Sequence, residues 1–151
     1  MKRQEKGFSL IELVIFVAII LIIAAIAIPN LLRSKMAANE ASAVGSLRTL
    51  NTAAVAYSTT YGTYPPSMAA LGPSSAPSST AADLIDSVLA GLTKSGYTFA
   101  WTAGTSDLSY SVTASPSNPG VSGQRYFFTN QSGVIRANTA GTADSSSTPI
   151  S

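Results

Sequence analysis

From Phe8 to Ile28 the chain is apolar at every position but two, Ser9 and Glu12. A helix of that length rises about 31 Å, close to the ~30 Å hydrocarbon core of a bilayer. Lipid offers the backbone no partners, so the stretch is expected to be helical. Pro29 follows directly. It lacks an N–H, and its ring meets the carbonyl four residues back, that of Ala25, so the helix should kink or loosen over residues 25–29. From Asn30 to Tyr61 no further proline occurs, and Leu47, Leu50, Ala54, Tyr57 and Tyr61 recur at spacings of three and four. That is one stripe of an amphipathic helix, with Asn39, Arg48, Asn51 and Ser58 off it. Gly62, with Pro65 and Pro66 beyond it, should stop the helix.

The pattern then changes. Residues 72–82 are a loop by their Gly, Pro and Ser content. Thr80 and Asp83 resemble a capping pair for a short helix whose apolar face is Leu84, Ile85, Val88, Leu89 and Leu92. Beyond it the period falls to two. Tyr97, Phe99 and Trp101 alternate with small or polar residues, as do Leu108, Tyr110 and Val112. Arg125 to Thr129 and Val134 to Ala137 flank Asn130-Gln131-Ser132-Gly133, a hairpin turn by composition. A sheet with one buried face follows, and the helical stripe is its natural partner. The fold class is therefore α+β: a long N-terminal helix, apolar in its membrane half and amphipathic in its soluble half, packed on a small antiparallel β-sheet. The segments are 1–7, a leader; 8–29, a transmembrane helix; 30–62, the amphipathic half; 63–141, the head; and 142–151, a polar tail expected to be poorly ordered.

Charge alters the picture in one respect. The sequence pI of about 9.0 suggests an anionic partner. Three of the nine basic residues and one of the seven acidic ones lie in residues 1–7, which leaves six of each. The basic character therefore belongs to Lys2, Arg3 and Lys6. Beyond them only Arg33, Lys35 and Arg48 form a loose group beside the apolar span, as residues meeting lipid head groups do. Nucleic acid is not expected as a direct ligand. The chain has no cysteine and no histidine, which excludes disulfides, thiolates, imidazole bases and zinc-type sites.

Glu12 is then the chemical oddity. A lone carboxylate at the centre of a membrane helix costs about 2.5–3.5 kcal/mol, less near the end, where the helix dipole also favours an anion. A cut between Gly7 and Phe8 would create a cation, the Phe8 α-amine, about 6 Å along the axis from Glu12. The carboxylate could pair with that amine in its own chain. It could equally pair with the amine of an axially offset neighbour and so set the register between subunits.

This constellation resembles a class III signal: a short basic leader, Gly7, then Phe8-Ser9-Leu10-Ile11-Glu12-Leu13, and an apolar helix ending in Ile28-Pro29-Asn30. It is similar to the N-terminus of type IV pilins and type II secretion pseudopilins, over residues 1 to about 60. The resemblance implies a pilin-like fold. It implies cleavage after Gly7 and N-methylation of Phe8 by a prepilin peptidase of the inner membrane. It also implies subunit assembly through Glu12 and the Phe8 amine of an adjacent copy, and loosening at Pro29 in the filament. The implied partners are further copies of the chain in a helical homopolymer, the peptidase, an inner-membrane assembly platform, and the bilayer before assembly. No cofactor, metal site or catalytic residue is expected. The chain would be a single-pass inner-membrane protein with its head in the periplasm, then part of an extracellular pilus or a periplasmic pseudopilus.

Other readings bear on the same residues. The basic start, the apolar run and Ala25-Ile26-Ala27 fit a secretory signal peptide, although the run exceeds the usual 7–15 residues. Glu12 could snorkel to the interface, Pro29 could be an ordinary kink, and Tyr57, Tyr61 and Tyr64 could simply pack helix to head. Thr93-Lys94-Ser95 lacks the glycine spacing of a phosphate loop. Asn130-Gln131-Ser132 fits both a glycosylation acceptor and a turn. Asp83 and Asp86 are too few for calcium. Within the resemblance, the absent cysteine departs from the disulfide of many pilins, and the Thr142-Ala143-Asp144-Ser145 segment is poor in the carboxylates of the secretion pseudopilins' calcium site. A pilus subunit for adhesion, twitching motility or DNA uptake is the preferred reading. A secretion pseudopilin is the alternative, and a membrane-anchored binding domain that never polymerises is the third.

Overall fold

The computed structural model describes residues 7–150; residues 1–6, most of the expected leader, and Ser151 lie outside the described residues. One helix, α1, runs from Leu10 to Tyr61, and the chain divides within it into a unit ending at Ser34 and a unit beginning at Lys35.

In the first unit, α1 is long and apolar enough to cross a membrane. Its large side chains are exposed all round, from Val17 at 47% to Leu10 at 80%. Such a surface needs lipid or other apolar helices around it, because each of these side chains is worth about 1.5–3 kcal/mol when removed from water. Pro29 lies inside α1, so the Ala25 carbonyl lacks its usual helical donor.

The second unit builds the core. Leu47, Leu50, Ala54 and Tyr57 are buried, as the stripe requires, and Tyr61 is half-buried. Gly62 ends the helix at φ +79°, a left-handed conformation that glycine adopts without strain, and its N–H bonds the Ser58 carbonyl. A short 3-10 turn (Met68–Leu71) and a one-turn helix α2 (Ser87–Ala90) follow. Six strands then form an antiparallel meander in sequence order: β1 (Thr93–Lys94), β2 (Tyr97–Ala103), β3 (Tyr110–Pro116), β4 (Tyr126–Asn130), β5 (Arg136–Asn138) and β6 (Thr148–Pro149). The seven-residue pairing of β2 with β3 is its centre. Tyr97, Phe99, Tyr110, Val112, Ala114 and Phe127 present the buried face, joined in one core with the helical stripe. The two-residue edge strands leave little edge for stray pairing.

Three expectations are corrected. The helix over residues 80–92 shrinks to α2, and its cap is Asp86, which accepts the Leu89 N–H at 2.6 Å, rather than Thr80 with Asp83. The backbone N–H groups of Ala82, Asp83, Leu84 and Ile85 instead bond carbonyls of Ala70, Leu71 and Gly72, and Asp83 sits at φ +54°. Second, residues 142–150 are not a loose tail. β6 pairs with β5, the Ile150 N–H bonds the Ile135 carbonyl, and Ala143 is buried. Third, Leu108 is 67% exposed and lies outside β3, whose inward series is Tyr110, Val112 and Ala114.

Candidate functional site

The start of α1 positions the residues with the most specific chemistry. Ser9 immediately precedes the helix, and its carbonyl accepts the Leu13 N–H at 3.2 Å, the first helical hydrogen bond. Ser9 is therefore the N-cap, and Glu12 stands at the third helical position. The Glu12 carboxylate turns back and accepts the Ser9 backbone N–H at 2.9 Å. This is the carboxylate half of a capping box, which satisfies an orphan donor of the helix end and places an anion against the positive end of its dipole. Gly7 precedes the helix, where an added Cβ would meet no atom within 4 Å among the described residues beyond its chain neighbours, and the Phe8 ring lies 6.3 Å from that of Phe16. The structure thus brings Ser9 together with Glu12, beside an exposed Phe8.

Asp83 and Asp86 do not share a helix face: Asp86 caps α2 and pairs with Lys94 at 3.1 Å. Lys94 is thereby placed on an edge strand, not in a phosphate loop. Asn130 closes the β4–β5 turn by accepting the Ser132 N–H at 3.0 Å. The tyrosines separate into two groups. Tyr57 packs on Tyr61 at 4.6 Å between ring centroids, whereas Tyr64 packs on Tyr110, which stacks on Trp101. Burial pushes the Tyr110 hydroxyl up to about 12, helped by neighbouring Tyr64, so it stays a neutral donor to Asn51 Oδ1.

Sequence reasoning missed one ionic clasp in the second unit. Glu40 is 8% exposed. Its Oε1 accepts the Gln124 and Arg125 N–H groups at 2.9 and 3.1 Å, and its Oε2 accepts Arg125 Nε at 2.7 Å. Beside it, Asn39 Nδ2 donates to the Ser122 carbonyl at 2.8 Å. Burial opposes ionisation of Glu40, but those N–H donors and the guanidinium outweigh it and hold its carboxyl below the ordinary 4.5. One signal was available: Glu40 lies seven residues before Leu47, on the buried stripe itself. Asn39 and Asn51, read as off the stripe, are half-buried on its flanks and bond the loop before β4 and Thr129 of β4.

A depressed carboxyl pKa stabilises the fold above the unfolded value and loses that contribution as pH falls through the folded one. Glu40→Gln should therefore melt below the natural chain above about pH 5, by roughly 2 kcal/mol. The difference should close as the pH drops below the ordinary carboxylate range. Thermal melts across acid pH check this.

Comparison with known proteins finds similarity in part of the chain. The prokaryotic N-terminal methylation motif matches residues 2–28. The chain is also similar to the type IV wide pilus major component PilA4 of Thermus thermophilus, with 58% identity over 38 residues, 25% of this chain. The match spans 29% of that relative's length. Residues 2–28 are thus a prokaryotic N-terminal methylation motif, and the chain as a whole has the long helix and antiparallel sheet of a pilin-like fold.

Proposed function

We propose that this chain is a structural subunit of a type IV pilus, cut after Gly7, methylated on the new Phe8 amine, and polymerised through the first half of α1. The observation that carries this reading is the pairing of the methylation motif with an all-round exposed apolar helix. Before assembly that surface is matched by lipid, in the inner membrane with the head in the periplasm. In a filament it is matched by the same helix of other subunits. The Phe8 amine supplies a cation and Glu12 an anion, so an offset neighbour neutralises both and fixes the axial step. Pro29, which costs α1 one hydrogen bond, marks where the helix loosens as it packs. The chain works by assembly rather than catalysis. The similarity to a pilus component supports the pilus reading.

Mass spectrometry of the mature protein, recovered from sheared surface filaments, tests this directly. The expected chain begins at N-methylated Phe8. A start after Ala27 would establish a removed signal peptide. Correct processing with no chain in surface filaments, alongside a loss of protein export on deletion, would establish the secretion reading.

A further inference from the structure

Glu12 has a partner inside its own chain. Its Oε2 lies 2.9 Å from the Ser9 amide nitrogen, and among the described residues its Oε1 takes no hydrogen bond. The donor is a peptide N–H one residue beyond the Gly7–Phe8 junction, so it is the same group before and after a cut there. The Phe8 nitrogen changes from amide to amine at cleavage; the Ser9 nitrogen does not.

We infer that the Ser9 N–H is a positioning group that holds Glu12 in a capping box in the uncut, unassembled subunit, with one carboxylate oxygen on its own helix and the other left for a neighbour. The assembly half of this inference rests on the function proposed above; the capping half does not.

Two consequences follow. The helix can enter the bilayer as a single subunit without an unsatisfied carboxylate, because a charge-assisted hydrogen bond and the helix dipole already stabilise it. Glu12 also reaches assembly already oriented. An anchored carboxylate with one free oxygen meets one amine in one geometry, and little rotamer freedom remains to be lost. The box and the ion pair make different demands. A glutamine at the third helical position also reaches back to the N-cap N–H, but it carries no charge for an amine. Alanine provides neither.

Hydrogen exchange of the Ser9 amide separates the two roles. The full uncut chain, produced without prepilin peptidase, is placed in nanodiscs of phosphatidylethanolamine and phosphatidylglycerol and followed by NMR. Ser9 should exchange slowly in the natural chain and in Glu12→Gln, and about tenfold or more faster in Glu12→Ala. Ser9→Ala keeps the backbone donor, so residue 9 should remain protected. Equal Ser9 exchange in the natural chain and Glu12→Ala overturns the box. Loss of protection in Glu12→Gln overturns the separation of cap from charge. Filament yield is scored in parallel in cells with the peptidase. Glu12→Gln should lose surface filaments although its box is intact. Normal filaments from Glu12→Ala would sink the assembly reading, while the exchange result would still decide the box.

Discussion

Gly123→Ala should strongly destabilise the second unit. The glycine is buried in the loop before β4, and its carbonyl accepts the Gly120 N–H at 2.8 Å. A Cβ built there runs into the Tyr97 hydroxyl and comes within 2.7 Å of the ring carbon that bears it. The ring cannot swing aside cheaply. Tyr97 is fully buried, lies 5.8 Å from the Phe127 ring, and donates its hydroxyl to the Arg125 carbonyl at 2.8 Å. Moving it strains the core and leaves a buried hydroxyl and carbonyl unpaired, so the cost is about 3 kcal/mol or more. For a unit of this size that lowers the melting temperature by roughly 10–20 °C. Tyr97→Phe removes the first atom that the new methyl meets. Combined with Gly123→Ala it should destabilise by clearly less than the two single changes added together. Additive effects in calorimetry would show that the clash lies elsewhere.

The same neighbourhood shows why the sequence revealed some of this fold and hid the rest. The helical stripe and the alternation of Tyr97, Phe99, Tyr110 and Val112 were legible because burial imposes a period on apolar side chains. Glu40 was not. An acid in an amphipathic segment reads as solvated until the guanidinium and two backbone donors 84 and 85 residues along the chain are placed against it. The helix expected over residues 80–92 had a helical period, yet the backbone donors of Ala82 to Ile85 found carbonyls in the 3-10 turn and the glycine after it, and only Ser87–Ala90 coiled. The C-terminal pairing was invisible for a related reason. Backbone hydrogen bonds hold β6 to β5, and serine and threonine side chains do not advertise them. At the candidate site, Gly7, Phe8 and Glu12 stood out through their spacing and the cost of a charge in an apolar run. The Ser9-x-x-Glu12 spacing is itself a capping-box signature, but within such a run the carboxylate reads first as a charge without a partner.

Glu12→Ala should leave the chain in the membrane and remove it from surface filaments. Insertion needs only the apolar length of α1, and deleting the one acid in the span makes the helix more apolar, so the membrane fraction should hold as much protein as before. Assembly is different. If each added subunit brings a methylated Phe8 amine to the depth of a neighbour's Glu12, alanine leaves that cation among apolar helices without a counter-charge. Breaking a buried pair in this way costs about 3–5 kcal/mol. That lowers the equilibrium constant of each addition by at least two orders of magnitude, at about 1.4 kcal/mol per tenfold. Because every subunit in the polymer carries the same defect, the losses repeat along the filament, and sheared material should contain essentially none of the variant. Mass spectrometry of the membrane fraction should still find cleaved, methylated Phe8, which separates failed assembly from failed processing. An uncut membrane form would move the role of Glu12 to recognition by the peptidase. Normal filaments would mean that helix packing alone sets the axial step and that the carboxylate serves only to cap its own helix.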